Sequence, residues 1–485
     1  MTDRGAIDLS KRDLTLDLAR VFCVLLVVVI HLLMVGVNTQ SPSGITLERP
    51  LEAQPWFAMV TWFGQIMPLF FVVGGFASMT AWRSLQRRGG DGADYVKSRV
   101  LRLAQPALPL FVFYVVAIGV GLIIINATGA LSFELLDGVF IGAGSPLWFI
   151  AAYTLCQALV PLLARLHTVA PKRTVLVLLA GVIAVDVLHS STASLGITSY
   201  WLGLLNLLFV WPLVQQIGFW YADGFFNRPW WQLVLISLVP IGMLWPLTTF
   251  GPYSVNMLVN LNPPTLPLVL LGLSQAAFLR LLKRPLSALM RTRVAKGIVF
   301  VAGTRLVTIY LWHLPVIIAL SGIAILLPGL SPLPSSPEWW LTRPIEYVLV
   351  LAVLFGLSFL VGRFEQPRPP GETPPAAFVG LAALLTIAVP VLMIPLGLDF
   401  ALAIAGSITL GIAIVILGPW GVRLGRRLHL KAEPAPALVR SSAGRRESDD
   451  DGRHPRCSTG RAARPGHPRF PRRDCPRCRD VRLRL

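Results

Sequence analysis

The stretch Leu16 to Leu33 reads LDLARVFCVLLVVVIHLL. An apolar run of this length crosses the hydrocarbon of a bilayer as a single helix. Yet it opens with Asp17 and Arg20 and carries His31 inside it, and ionisable groups within such a segment are costly enough to mark function by default. The step from Arg20 to His31 turns a helix by about 1100°, three turns plus about 20°, so the two side chains share one face. They stand about 16 Å apart along the axis, which places the guanidinium near one membrane surface and the imidazole near the middle.

The chain around this segment is of the same kind. It has 485 residues, 54% of them hydrophobic and 14% charged, with a mean hydropathy of +0.67. That is the profile of an all-α, polytopic membrane helix bundle rather than of a soluble domain. Long apolar segments fall near residues 16–37, 56–80, 105–127, 146–164, 174–189, 200–220, 230–250, 265–282, 298–327, 342–362, 376–396 and 400–420, each a candidate span.

The net charge of +19 invites a nucleic-acid reading, which its distribution argues against. With the N-terminus in the cytoplasm and strict alternation, 22 Lys and Arg fall on the cytoplasmic side up to residue 375, and only Arg49 and Arg343 fall outside. That asymmetry sets the orientation. Beyond residue 420 a further 18 basic residues against seven acidic ones make a net +11, so over half of the excess charge belongs to the C-terminal tail.

The chain divides accordingly into a cytoplasmic N-terminus (1–15), a ten-helix core (16–367), a linker with two additional helices (368–420) and a basic tail (421–485). The Pro-rich RFEQPRPPGETPP from Arg363 marks the second boundary, and the final pair reads as an appendix to the core. The tail, dominated by Arg, Pro, Ala and Gly, is expected to be disordered and suited to anionic lipid, with an unselected terminus as the equal alternative. Five cysteines are too few for a disulfide framework, and CPRC at Cys475 lacks the second ligand pair of a zinc site. The first apolar stretch is expected to stay as a helix rather than be cleaved as a signal peptide.

The face shared by Arg20 and His31 suits a long anionic donor whose phosphates rest on arginine and whose reactive end meets a proton-accepting imidazole. Coenzyme A thioesters have that shape. Snorkelling of Arg20 and an interhelical hydrogen bond for His31 are the structural alternatives. Asp17, one turn before Arg20, is its natural local partner. Arg99 and Arg102, three apart on a helix leading into the membrane, face one way and can grip one phosphate, or serve as ordinary positive-inside charge. Arg305 lies within an apolar segment and needs a carboxylate, a phosphate or a wet cavity. His313, eight residues on, is expected in the outer half, against an acceptor hydroxyl or a neighbouring helix. Glu365 ends the tenth helix and is placed to anchor Arg99 or Arg102, with solvated helix-end charge as the alternative. Outside, the uncharged YSVNMLVNLNPPTLP from Tyr253 offers Asn256, Asn262 and Thr265, together with Trp148, to sugar hydroxyls, with loop capping as the alternative. Asp223 in WYADGFF reads as a helix-end cap.

Six blocks in order carry a resemblance. LDLARVFCVLLVVVIH resembles the first helix of the integral-membrane acyltransferase family 3, the O-acetylase type, with its arginine and histidine separated by ten residues. PLFFVVGGF at Pro68 resembles that family's PLFFxxSGF with Gly74 in place of serine, and DYVKSRVLRLAQP at Asp94 resembles its RxxRLxP. SPLWF at Ser145, TRLVTIYLWHLPV at Thr304 and FEQP at Phe364 resemble its LWFL, YLxHxP and Glu-x-Pro blocks. The resemblance implies transfer of an acyl group, commonly acetyl, from cytoplasmic acyl-CoA to a hydroxyl of a cell-envelope sugar or lipid, in a bacterial inner (plasma) membrane.

It matches Arg20 and His31 to the signature pair, Arg99 and Arg102 to the cytoplasmic basic pair, and Tyr310 and His313 to the later block. Expected partners are therefore the acyl-CoA donor, an envelope glycolipid or polysaccharide acceptor and membrane lipid, with no nucleic acid, no metal and no permanently bound cofactor. The rival readings are a transporter or flippase of an envelope precursor, whose expected signs are repeated halves and unwound helices near the midplane, and a non-catalytic membrane scaffold, for which the intramembrane Arg20, His31, Arg305 and His313 would be needless cost.

Overall fold

The computed structural model describes residues 13–428, apart from 43, 130–131, 197–199, 328 and 366–370. The readings made for the far N-terminus, the middle of the Pro-rich break and the tail with its CPRC lie outside the described residues.

The first helix, α1 (Leu14–Met34), starts where Asp13 accepts a hydrogen bond from the Thr15 amide, the usual work of an N-cap carboxylate. It is followed by a feature that the hydrophobic pattern does not announce, an antiparallel hairpin of β1 (Gly36–Ser41) and β2 (Gly44–Glu48). Its turn uses Gly44 at φ +90°, where a side chain would be strained. The short α2 (Phe57–Gly64) and the longer α3 (Met67–Arg87) replace the single helix expected near 56–80. The break falls just before Pro68, which lacks the N–H that a continuing helix needs.

A capping box of Asp91 and Asp94 starts α4 (Gly92–Thr128), and Gly129 in the left-handed region ends it. Then come α5 (Phe133–Gly144), α6 (Trp148–Val169), α7 (Pro171–Ser194), α8 (Tyr200–Leu204), α9 (Val210–Ala222), α10 (Trp230–Thr249) and α11 (Leu266–Leu281). The chain continues through α12 (Lys283–Leu289), α13 (Arg293–Gly303), α14 (Leu306–Leu326), α15 (Pro337–Val361), α16 (Ala376–Leu396), α17 (Phe400–Ile416) and α18 (Pro419–Arg427). By length and composition ten spans qualify to cross a membrane, or up to twelve if each bent pair, α11 with α12 and α17 with α18, is one span. The polytopic helical bundle expected from composition is the fold.

Two contacts decide where the site lies. Helices α3 and α9 touch backbone to backbone: a Cβ on Gly75 would fall 2.3 Å from the Gln215 carbonyl oxygen, and one on Gly218 would fall 2.1 Å from that of Val72. Small residues are what permit such an approach in a bundle. The second contact is the packing of α16 and α17 on the rest of the bundle. Ala382, Ala383 and Ala413 are buried in one cluster with Val100 of α4, and a Cβ on Gly406 would lie 2.2 Å from the Phe111 ring. The final pair covers α4 and α6, while α4 also packs on α14 and α6 on α3.

The segment expected as one helix over 298–327 is also two helices. Between α13 and α14 the backbone leaves the helix at Arg305 (φ −128°, ψ 13°). A guanidinium that would have to lie within an apolar span instead sits at a helix end, where water and anions reach it.

Candidate functional site

The break brings Arg305 to a cavity of about 1120 Å³ lined by the first turns of α1 and by the early part of α4. Arg20 of α1 and Arg99 and Arg102 of α4 line the same space, with Lys296 of α13. Among the described residues none of these five cations forms an ion pair. The Nε atoms of Arg20 and Arg99 are buried without a hydrogen-bond partner, and the Arg99 guanidinium lies against the Tyr95 ring, its Cζ 5.0 Å from the centroid. Buried cationic donors left open in this way are suited to an anion. Asp17 and Glu365 also line the cavity.

Glu365, placed by its position to anchor Arg99 or Arg102, makes no ion pair with either among the described residues. Its carboxylate accepts from the Val307 amide (3.1 Å), the Thr308 amide (3.3 Å) and the Thr308 hydroxyl (2.7 Å). It therefore caps the first turn of α14, where helix amides lack partners and the helix dipole favours negative charge.

One wall is aromatic. Phe149 stacks on Tyr153 (centroids 5.1 Å) and leans on Tyr310 (4.6 Å), with Phe70 5.2 Å from Phe149. Tyr153 has room because Gly74 faces it: a Cβ there would be 3.2 Å from Tyr153 Cε2. Tyr310 closes the deep end of the cavity, its hydroxyl donating to the Pro146 carbonyl (3.0 Å).

Behind Tyr310 lies His313, 5.7 Å from it between ring centroids, and edge-on to His313 lies His31 at 4.8 Å. His313 is fully buried with its Nε2 unpartnered, whereas His31 is partly exposed. The track from Arg20 to His31 is therefore not one open channel. Arg20 lines the cavity, and the two histidines sit just beyond its aromatic end.

Trp148 departs further from expectation. It is buried and stacked on Trp211 (5.3 Å, 25°), which stacks in turn on Phe71. It is core packing, and it does not face a loop. In the amide-rich loop, Asn256 accepts from the Leu258 amide and Thr265 bonds Asn260, which is the capping alternative, while Asn262 Oδ1 is buried without a partner. The loop is tied down by Asp186 of α7, which accepts from the Tyr253 hydroxyl, the Asn206 amide group and the Leu266 amide. Asp223 joins Arg83 (2.6 Å) and His167 (3.1 Å) beside a separate small pocket.

Lys296, Tyr153, Gln157 and Gly362 line the main cavity without having been singled out from sequence. Lys296 carried a signal, its place in the basic RLLKRPLSALMRTRVAK, but nothing local says that α13 folds back over the mouth. Among the described residues no three His, Cys, Asp or Glu side chains converge as a metal site.

Residues 13–363 match the family model of acyltransferase family 3, described as an acyltransferase domain. No curated protein and no solved structure matches the chain.

Proposed function

This chain belongs to acyltransferase family 3 and is an acyltransferase, and from that premise we propose that it moves an acyl group, acetyl in the simplest case, from acyl-CoA to a hydroxyl of an envelope sugar or glycolipid. The observation that carries this reading is the convergence of Arg20, Arg99, Arg102, Arg305 and Lys296, without ion-pair partners among the described residues, on a cavity that ends beside a histidine pair.

The phosphates of the donor lie on the arginines at the mouth, where charge-assisted and bidentate bonds hold them. The thioester arm follows the aromatic wall as far as Tyr310, and displacement of that ring from the Pro146 carbonyl opens the way to His31. The acceptor arrives from the opposite membrane face, where the amide-rich loop is uncharged. His31 takes the hydroxyl proton as the oxygen attacks the thioester carbonyl; the C–S bond breaks, and the proton passes to the departing thiolate. The basic end of the bundle faces the cytoplasm of a bacterial inner membrane by the distribution of Lys and Arg, and the donor is a substrate rather than a resident cofactor.

Membranes containing the protein, given labelled acetyl-CoA, are expected to place label on glycolipid or polysaccharide, and membranes with His31→Ala are not. Equal labelling with the variant, or none with either protein, overturns the proposal.

A further inference from the structure

We propose that Gly362 is a positioning residue for Arg305: it is a slot left empty so that the guanidinium lies against the backbone and points into the cavity. The inference rests on the reading of Arg305 as a ligand of the donor's phosphates.

Conformation does not explain this glycine. Its φ of −65° and ψ of −14° are open to any residue. Space does. A Cβ on Gly362 would fall 1.9 Å from Nη1, 2.9 Å from Cζ and 3.5 Å from Cδ of Arg305. Gly362 is buried, and both residues line the cavity. The flat guanidinium therefore rests on the one surface where the chain carries no side chain.

The same turn fixes the other end of Arg305. Three residues on, Glu365 binds the Val307 and Thr308 amides, so the backbone immediately after Arg305 is clamped by the segment that accommodates its head. An arginine with three flexible methylenes and no carboxylate partner among the described residues would otherwise spread over many rotamers. The turn 362–365 restricts it to one.

Adding a methyl group should displace the guanidinium, not unfold the protein, because the atoms in the way are the far end of a flexible side chain. The consequence is specific: Gly362→Ala should act through Arg305 and through nothing else. A double-mutant cycle tests it. With full-length protein in detergent, the KM for acetyl-CoA and the Kd for coenzyme A are measured for wild type, Gly362→Ala, Arg305→Ala and the double variant. Gly362→Ala is expected to raise both constants by roughly tenfold, the loss of one charge-assisted contact, with kcat within a few-fold of wild type. The double variant is expected to be no weaker than Arg305→Ala. Additive losses, or a Gly362→Ala protein that binds as wild type, overturn the inference while the donor reading stands. A wild type that does not bind coenzyme A overturns the donor reading and the inference with it.

Discussion

His31 of α1 and His313 of α14 meet edge to face, their ring centroids 4.8 Å apart and their planes at 70°. Each ring turns its Nδ1 to a backbone carbonyl of its own helix, His31 to Val27 at 2.9 Å and His313 to Tyr310 at 2.5 Å. A carbonyl only accepts, so Nδ1 carries hydrogen in both rings, and Nε2 is the atom whose protonation changes. Of the two, only His31 is partly exposed.

On the proposed reading His31 is the base. His31→Ala is expected to lower acyl transfer by roughly a hundred- to ten-thousand-fold, the span of general-base contributions, with the protein still present in the membrane. Initial rates with labelled acetyl-CoA check this. A drop of only a few-fold would move the proton transfer to another group.

The mouth of the cavity makes a separate prediction, because Arg20, Arg99 and Arg102 line it and on the proposed reading bind the donor's phosphates. Each change to Ala is expected to raise the KM for acyl-CoA by about 10- to 100-fold, the loss of one hydrogen bond to a charged group, with a smaller change in kcat. Arg→Lys at the same positions should recover only part, since an ammonium keeps the charge and loses the fork.

The spans were legible because a membrane helix is written in one long apolar run, and Arg20 with His31 because a fixed helical spacing puts them on one face. The hairpin at Gly36–Ser41 and Gly44–Glu48 was not, since its strands are only six and five residues long and the alternation of Ile45 and Leu47 in the second is too short to stand out beside the membrane helix. Arg305 was recognised as unusual, but the helix break that accommodates it depends on Glu365, distant in sequence, which supplies the cap. Trp148 was misjudged for a similar reason: its surroundings are set by Trp211 and Phe71 on other helices, and no local pattern reports them.

Adjacent glycines in PLFFVVGGF should behave differently. Ala at position 75 would place a methyl 2.3 Å from the Gln215 carbonyl oxygen and 3.1 Å from the Gly218 Cα, both backbone, so α3 and α9 must separate at a cost of about 1–3 kcal/mol or more. Ala at position 74 meets only the Tyr153 ring, at 3.2 Å, which can yield. Gly75→Ala is expected to lower the melting temperature by several degrees. Gly74→Ala should leave it nearly unchanged, and Gly74→Ser should alter the donor KM by pressing Tyr153 towards the cavity. Melting in detergent and donor KM values distinguish the pair.

Outside the spans, Asp13 supplies a pH dependence. Burial pushes its carboxyl up, but the Lys283 ammonium at 2.8 Å and the Thr15 hydroxyl and amide outweigh it, so the group is held below its ordinary value. A depressed carboxylate stabilises the fold above its unfolded pKa of about 4 and loses that contribution as the pH falls through the folded value. With Asp13 and Lys283 side chains 24% and 38% exposed, the ion pair is worth under about 1 kcal/mol. Stability measured from pH 7 downwards should fall slightly more in wild type than in Asp13→Asn.

The cap on α14 offers the clearest separation of stability from binding. Glu365 satisfies two amides and one hydroxyl at the start of the helix that follows Arg305, and it is only 9% exposed, so water does not readily replace it. Glu365→Ala leaves those donors open and should cost about 1–3 kcal/mol. Glu365→Gln retains an acceptor oxygen but loses the charge that favours a helix N-terminus, and should fall between Ala and wild type. The donor KM should rise in the same order, because a loosened first turn no longer fixes the backbone of Arg305. Melting temperature and KM that move together across Glu, Gln and Ala identify the carboxylate as the holder of the break. If stability were lost in Glu365→Ala with an unchanged KM, the cap would serve the helix alone.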